Sequence, residues 1–277
     1  MIGQVAHYVK SHGLGNDYIV IDPAKVPFEV TPEAVRLICD RHRGVGSDGI
    51  LLVSAADGAD FGVRIFNPDG SEAEKSGNGA RIFAKFLRDH HYTEQDRFTL
   101  HTAGGRVSCI LRREKGRVVQ VTVDMGKARF DPLDAIDVDG RRIEVTSVSM
   151  GNPHCVVIVP DLEHIDVHAL GPKIERHPAF AKGTNVQFAQ VVSRSEVRIL
   201  IWERGAGYTL ASGSSSCAVA AACHRRGLVD RSVTVSMPGG QLAIAITDDG
   251  EIRMHGPVEE ICEGDLSPDL LRRLGAR

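Results

Sequence analysis

The sequence has no long apolar run, no paired-cysteine motif and no strong net charge, and each absence excludes a class of protein. No stretch approaches the ~18 consecutive apolar residues of a membrane span, and the opening residues MIGQVAHYVK lack the apolar core of a secretory signal. A formal net charge of −3 is too small to indicate a polyanionic partner. We therefore expect a cytoplasmic protein that binds neither nucleic acid nor a membrane.

The six cysteines include no C-x-x-C pair and no zinc-finger spacing. Several lie in apolar surroundings, such as Cys155 in HCVVIV and Cys262 in EEICEG. Cysteines of this kind are typical of buried free thiols in a reducing compartment. Nothing in the sequence indicates a structural metal.

The amino-acid composition is typical of a globular protein. Of the 277 residues, 42% are hydrophobic and 25% are charged. The length accommodates one large core, but it slightly favours two domains of about 140 residues each. The short basic run from Arg112 to Lys115 is interpreted as the solvated end of a hairpin.

The chain contains an internal repeat. Three segments of the first half match three of the second: GLGNDYIVID (13–22) with MGNPHCVVIV (150–159), SGNGARIFAKFLRDH (76–90) with SGSSSCAVAAACHRRG (212–227), and FTLHTAGGRVSCIL (98–111) with VTVSMPGGQLAIAI (233–246). Asn16 and Ser76 are separated by 60 positions, and so are Asn152 and Ser212. Equal spacing favours a duplicated domain over chance similarity. We expect each half to supply one serine turn to a shared site.

Most predicted elements are short strands, because β-branched runs are bounded by Gly, Asp or Pro. These runs are YIVID, GILLVSA, FGVRIFN, VVQVTVD, HCVVIV, NVQFAQVV, EVRILIWE, VTVSM and LAIAI. TPEAVRLICDRHRG predicts a helix with a threonine N-cap, proline at its first position and a glycine after its end. Residues 80–87 and 217–223 predict helices that are apolar on most or all sides and therefore buried. The predicted fold class is mixed α/β (α+β), with each half's sheet wrapped around its own helix.

Ser76 and Ser212 each precede a glycine that opens one of these buried helices. A helix N-terminus exposes unpaired N–H groups and partial positive charge, so it holds carboxylates or phosphates well. The small residues that follow let a ligand approach the backbone closely: Gly77, Gly79, Gly213, Ser214 and Ser215. The alternative interpretation is that both serines are ordinary N-caps.

Further polar residues lie where an apolar core would not place them. They are Asn67 and Asp69 in FNPDGSE, Asn152 and His154 in GNPH, Asn185 in GTNVQF, and Glu203 and Arg204 at the end of VRILIWERG. Residues 67–70 also have the composition of a β-turn, and Arg204 also fits an ordinary surface charge. Amides and an arginine in matching loops of both halves favour recognition of an amino acid's carboxylate and ammonium groups.

One motif is excluded by its context. Residues 44–49, GVGSDG, fit the G-x-G-x-x-G pattern of dinucleotide-binding proteins. The fingerprint requires a strand before it and a helix after it, whereas this segment follows a predicted helix and precedes the strand ILLV. We therefore predict no dinucleotide site, and no other cofactor is expected.

The chain resembles the diaminopimelate epimerase family nearly end to end. The resemblance is carried by GLGNDY, DRHRGVGSDG, FNPDGSEAEKSGNGAR, GNPH, GTNVQF, WERGAGYTLASGSSSCA, MPGG and GPVEEICEGDL. It implies two pseudo-symmetric α/β halves with mostly antiparallel sheets, 1–127 and 128–257, with the active site in the cleft between them. It also implies that residues 258–277 return to the first half, and that the protein forms a homodimer.

The resemblance implies a pyridoxal-independent isomerase that moves an α-proton of a small amino acid, in lysine biosynthesis. In that family a cysteine stands before each glycine-rich helix, one thiolate removes the proton and the other thiol returns one. Those positions are Ser76 and Ser212 here, and Cys217 lies five residues inside the second helix. A further departure is Tyr208, where the family motif GAGET has glutamate.

The residues that match the family's substrate-binding positions are Asn16, Asn67, Gly77, Asn78, Asn152, Asn185, Glu203, Arg204, Gly213 and Ser214, and His154 matches a supporting histidine. Because an alcohol is a much weaker acid than a thiol, three interpretations stay open. The chain is a diaminopimelate epimerase or its Cys→Ser variant, a divergent paralogue acting on another α-amino or hydroxy acid, or a binding protein without activity. We favour the paralogue, in which Tyr208, His154, Glu203 or Asp69 shares the acid–base work with the two serines.

Overall fold

Twenty strands and five α-helices make up residues 6–276, the part of the chain that the computed structural model describes. The first stretch contains β1 His7–Gly13, β2 Asn16–Ile21, α1 Pro32–Cys39, β3 Ile50–Ser54, β4 Phe61–Phe66, β5 Glu72–Ala73, α2 Gly77–Asp89, β6 Arg97–Thr102, β7 Gly105–Glu114 and β8 Arg117–Lys127. Then follow β9 Arg129–Phe130, β10 Ala135–Val138, β11 Arg141–Glu144, β12 Thr146–Ser149, β13 Pro153–Ile158, α3 Val167–Glu175, β14 Asn185–Ser193, β15 Glu196–Glu203, β16 Gly207–Thr209, α4 Gly213–Arg225, β17 Ser232–Met237, β18 Gly240–Ile246 and β19 Glu251–Pro257. The chain ends with β20 Glu259–Asp265 and α5 Pro268–Arg273.

These elements divide into two units. The first comprises the residues up to Val123 together with those from Pro257 onward, and the second comprises Asp124–Gly256. The final segment joins the first unit because β20 pairs antiparallel with β1 and α5 places Leu271 in the same apolar core as Ile19 and Ile21. The first unit is therefore discontinuous in sequence.

The two units have the same strand order. In the first, neighbouring strands run β20–β1–β2–β3–β4–β6–β7–β8, with β5 also on β4. In the second they run β9–β12–β13–β14–β15–β17–β18–β19, with β16 also on β15. Each unit has two parallel pairs, and a helix lies in the crossover that a parallel pair requires. The mostly antiparallel fold class is confirmed.

The register of the strands repeats as well. Ile19 pairs with Ile50, and both partners recur 136 positions later as Cys155 and Val186. The same offset of 136 relates the pair Leu51 and Ile65 to Gln187 and Ile201. A duplication visible in sequence motifs therefore extends to individual backbone pairings.

The helices α2 and α4 are buried along most of their length, as their composition predicts. Within the second unit, α4 contacts β12, β13, β14, β15, β17 and β18. In α2 burial also includes three basic residues, Arg81, Lys85 and Arg88, which are at most 8% exposed. No helix among residues 6–276 is long and apolar enough to cross a membrane.

The first predicted helix ends earlier than its pattern suggests. Thr31 is its N-cap and Pro32 its first residue, but α1 ends at Cys39 rather than next to Gly44. Asp40 ends it by adopting an extended backbone, while its carboxylate accepts the N–H groups of His42 and Arg43.

The cysteine environments are largely as predicted. Five of the six thiols are buried, and burial raises the pKa of Cys155 and of Cys223 to about 12. The prediction was wrong for Cys262, which is exposed on β20. Its neighbours Glu260 and Glu263 make this strand polar, so the run EEICEG does not bury its cysteine. The hairpin end at Arg112–Lys115 is confirmed by the tight turn between β7 and β8.

Candidate active site

Ser76 is the N-cap of α2. Its backbone is extended, and its Oγ accepts the N–H of Gly79 at 3.0 Å. A Cβ on Gly79 would lie 3.2 Å from that Oγ and 3.0 Å from Leu51, so a glycine suits this close approach. The hydroxyl of Tyr18 lies 3.4 Å from the Ser76 Oγ. The N–H groups of Gly77 and Asn78 have no acceptor inside the helix and are available to an anion.

Ser212 is the N-cap of α4 in the same conformation. Its Oγ accepts the N–H of Ser215 at 3.4 Å, and its carbonyl accepts the Ser216 hydroxyl at 2.9 Å. Ser212 is 4% exposed, whereas Ser76 is only partly buried. The predicted N-cap role is thus real for both serines, and it leaves the N–H groups of Gly213 and Ser214 for a ligand.

In the first unit a directed series of hydrogen bonds leads to Asn16. The buried guanidinium of Arg81 donates to the Asn78 Oδ1 at 2.6 Å, and the Asn78 amide donates to the Asn16 Oδ1 at 3.0 Å. The Asn16 amide then donates to Asp48, which also accepts from Arg41. Both carboxamide oxygens are thereby engaged by protein donors. Each of the two amide nitrogens has a second N–H to offer a ligand.

The second unit builds its site around His154. The ring is 0% exposed, and burial lowers its pKa from 6.5 to about 3, so it is neutral at physiological pH. Its Nδ1 lies 3.0 Å from the Gln187 amide nitrogen and its Nε2 lies 3.0 Å from the Asn152 Oδ1. An amide nitrogen only donates, so the Nδ1 accepts and the Nε2–H donates to Asn152. His154 therefore orients Asn152.

The Gln187 side chain also reaches the N-terminus of α4. Its Nε2 donates to the Ser215 Oγ at 2.9 Å, and the Ser215 N–H in turn reaches Ser212. Gln187 and Ser215 are both completely buried. This link joins Asn152, His154 and Ser212 within one network.

Asn185 and Arg204 are hydrogen-bonded to each other in the second unit. The Asn185 amide donates to the Pro153 carbonyl at 2.8 Å, and its Oδ1 accepts the Arg204 N–H at 3.0 Å. The Arg204 side chain is exposed and donates to the Lys182 carbonyl. Glu203 ends β15, and Tyr208 lies opposite Trp202 on β16 with its ring 5.1 Å from that of His168.

Asn67 lies in a turn. The Gly70 N–H donates to the Asn67 carbonyl at 2.9 Å, and the Asn67 side chain donates to the Ser71 hydroxyl. Asp69 accepts both the N–H and the hydroxyl of Ser71, and these hydrogen bonds lower its pKa. The β-turn interpretation of residues 67–70 is confirmed.

Two residues of this geometry, Tyr18 and Gln187, were missed in the sequence, and Ser215 was noted only for its small size. A signal was available for Tyr18, since the repeat places it at the position of His154. Gln187 carried no such signal, because the equivalent residue in the first unit is Leu51. Among residues 6–276 no group of three or more His, Cys, Asp or Glu side chains could hold a metal ion.

Comparison with solved structures defines the class of fold. A hydroxyproline epimerase from Agrobacterium vitis, with bound trans-4-hydroxy-L-proline, superposes with a TM-score of 0.75 at 19% identity, covering 99% of this chain and 94% of that one. A PhzF-family phenazine biosynthesis protein from Bacillus anthracis gives 0.71 at 14% identity, covering 96% and 100%. The protein has the duplicated fold shared by these epimerases and PhzF proteins.

Sequence comparison gives the family. The family described as "Diaminopimelate epimerase" matches residues 8–131 and 146–261. Diaminopimelate epimerase 2 from Nostoc sp. is 46% identical over 95% of this chain and 96% of its own, and diaminopimelate epimerase from Pelotomaculum thermopropionicum is 42% identical over 94% and 98%. The chain belongs to the diaminopimelate epimerase family, as its motifs predict, and it is an isomerase.

Proposed function

We propose that this protein epimerises an α-amino acid by α-proton transfer without pyridoxal phosphate, and that diaminopimelate is its substrate. Its similarity to enzymes named diaminopimelate epimerase over 94–95% of its length supports this assignment. The reaction would then belong to lysine biosynthesis. Cytoplasmic location, the homodimer and a substrate site shared by the two halves stay predictions.

One observation carries the proposal. Two serines cap equivalent helices in the two units, and each follows an equivalent asparagine by 60 positions in the sequence. Epimerisation needs one group on each face of the α-carbon, because the proton leaves from one side and returns on the other. A duplicated domain with one hydroxyl per half meets that need. We assign Ser76 and Ser212 these two roles.

The helix N-termini suit the charge that forms in this reaction. Removing the α-proton leaves negative charge that spreads onto the substrate carboxylate, and N–H groups aimed at that carboxylate stabilise it. Gly77, Asn78, Gly213 and Ser214 hold the N–H groups in question. The same donors stabilise an alkoxide on either serine.

The amides around these helices suit a second acceptor group on the substrate. The oxygens of Asn16, Asn78, Asn152 and Asn185 each accept a hydrogen bond from the protein. Each amide nitrogen also has at least one further N–H to donate to a carboxylate. We propose that these amides and Arg204 bind the substrate carboxylates, and that Glu203 binds an ammonium.

The direct test is exchange of the α-proton. Incubated with LL-diaminopimelate in D2O, the protein is expected to incorporate one α-deuterium and to release the meso isomer, followed by NMR and mass spectrometry. Product from another α-amino or hydroxy acid, with none from diaminopimelate, would support the divergent paralogue. Tight binding of diaminopimelate without exchange would support a binding protein.

A second test replaces the two hydroxyls by thiols. A thiol titrates near about 8.5 and is far more often ionised at neutral pH than an alcohol. We expect the double variant Ser76→Cys, Ser212→Cys to exchange at least about 100-fold faster at pH 8. Either single variant should gain much less, since both faces need a matched group.

Ser214→Cys is the matched control, because it places a thiol two residues from the cap on the same helix. It should not accelerate exchange. An equal acceleration by this control, or no acceleration by the double variant, would contradict the roles assigned to Ser76 and Ser212.

A further inference from the structure

We propose that Tyr18 is a positioning residue for proton transfer at Ser76: its phenol hydroxyl exchanges a proton with the Ser76 hydroxyl while Ser76 exchanges one with the substrate. This inference rests on the proposed function. It explains how an alcohol in the first unit could serve as a base.

The geometry converges on one oxygen. Tyr18 lies on β2 and is 7% exposed, and its hydroxyl is 3.4 Å from the Ser76 Oγ. The same Oγ accepts the Gly79 N–H at 3.0 Å. When Tyr18 donates, two donors point at the Ser76 oxygen, and hydrogen bonds to a charged form favour that form.

The surroundings make room for the Tyr18 ring. A Cβ on Gly49 would lie 2.7 Å from the ring carbon Cε1 of Tyr18 and 2.3 Å from the Phe66 carbonyl oxygen. A side chain at position 49 would therefore displace the ring. The equivalent position in the second unit is Asn185, so this space is a feature of the first unit.

The equivalent histidine in the second unit makes a different connection. His154 reaches the cap only through Gln187 and Ser215, at 3.0 and 2.9 Å. In the first unit Leu51 and Gly79 hold those two positions, and neither has a polar side chain that could bridge to the cap. The Tyr18 phenol is thus directly beside Ser76, whereas the neutral, buried imidazole of His154 is linked to Ser212 only through two intervening residues, Gln187 and Ser215.

The charged groups on neighbouring elements are engaged with each other. Lys10 of β1 and Arg41 pair with Asp17 at 3.0 and 2.8 Å, and Arg41 also pairs with Asp48 at 2.7 Å. Other ionisable side chains on the adjoining segments include His12, which faces Glu259 at 3.7 Å, Arg81 on α2, and Glu74 and Lys75 before Ser76.

The proposed proton transfer accounts for every proton and electron pair. As the substrate Cα–H bond breaks, its electron pair stays on the α-carbon and the proton forms an O–H bond with the Ser76 Oγ. The former hydroxyl proton of Ser76 passes to the Tyr18 oxygen, which has already lost its own proton to solvent and is phenolate at that moment. In the opposite direction Tyr18 returns a proton to Ser76 as Ser76 protonates the carbanion.

Tyr18→Phe tests the relay, because it keeps the ring and removes the hydroxyl. In the otherwise unchanged protein we expect kcat for α-deuterium exchange from diaminopimelate to fall about 100-fold with KM little changed. In a Ser76→Cys, Ser212→Cys background the same change should cost less than about threefold, since a thiol ionises without help.

Tyr92→Phe is the matched control, because the Tyr92 hydroxyl donates to Asp22 in the same unit. It should leave kcat and its pH dependence unchanged. Equal losses from Tyr18→Phe in the serine and cysteine backgrounds would show a structural role and overturn the relay alone, as would no loss in the serine background. No exchange by the wild-type protein would overturn both the relay and the proposed function.

Discussion

At the scale of single residues, Tyr18 and His154 show how equivalent positions diverge after a duplication. Both follow a site asparagine by two residues on equivalent strands. Tyr18 directly contacts the serine that caps α2, whereas His154 is fully buried and holds Asn152 and Gln187. The two halves therefore share a backbone arrangement, but they place different functional groups at this equivalent position.

The lowered pKa of His154 predicts an acid-sensitive protein. Because its pKa falls from 6.5 to about 3 on folding, the unfolded chain binds a proton at pH 4–6 that the folded chain excludes. Stability is thus unaffected above about pH 6.5 and is lost as the pH falls below it, by about 1.4 kcal/mol per pH unit from this group. We expect the free energy of unfolding, measured with urea between pH 4 and 6, to change with pH by that much less in His154→Gln than in the unchanged protein. Equal slopes in the two proteins would mean that His154 is protonated in the folded state.

At the scale of elements, α2 is a buried helix that carries three basic residues. Lys85 donates to Asp89 at 2.6 Å and to the Val118 carbonyl at 2.8 Å, and the Asp89 side chain is 0% exposed. Val118 closes the arrangement by donating its N–H to Asp89. Apolar periodicity alone predicts burial of this helix, but the ion pair is what makes burial of its charged residues tolerable.

Lys85→Met should destabilise the protein by about 3 kcal/mol, because it removes the nearer cation of the buried Asp89 carboxylate and leaves only Arg117 at 3.8 Å. Adding Asp89→Asn should recover most of that loss, since a neutral amide still accepts the Val118 N–H. Chemical denaturation of both variants measures the difference. Arg112→Met, which removes one partner of an exposed pair with Glu114, is the control and should cost less than about 1 kcal/mol.

At the scale of the whole molecule, the chain returns to its first unit after completing the second. Leu266 and Leu271 of the final segment are buried in the core that contains Ile19 and Ile21, and β20 pairs with β1 along most of its length. The last twenty residues are therefore part of the framework that holds β2, and with it Asn16 and Tyr18.

Truncation after Gly256 should unfold the first unit although the cut is far from it in sequence. We expect hydrogen exchange to lose protection in β1, β2 and α1, while α4 and β13–β15 keep theirs. Removing only residues 275–277 is the control and should leave both patterns intact. Retained protection in β1 and β2 after the longer truncation would contradict this account.

The sequence by itself determined much of this protein. Matching motifs at equal spacing revealed the duplication, Ser76 and Ser212 were recognisable as helix N-caps, and the motifs identified the family. These features are local or repetitive: a cap depends on three or four consecutive residues, and a repeat is visible by comparing the chain with itself.

Only the tertiary structure decided which side chains meet at the two serines. Tyr18 and Ser76 are 58 residues apart, Asn16 and Asn78 are 62 apart, and Gln187 lies 28 residues before Ser215. No local pattern links such pairs, because their contact depends on strand register and on the space left by residues such as Gly49. The Ser76 and Ser212 environments differ because packing brings different side chains to equivalent places, Tyr18 to Ser76 and Gln187 with Ser215 to Ser212.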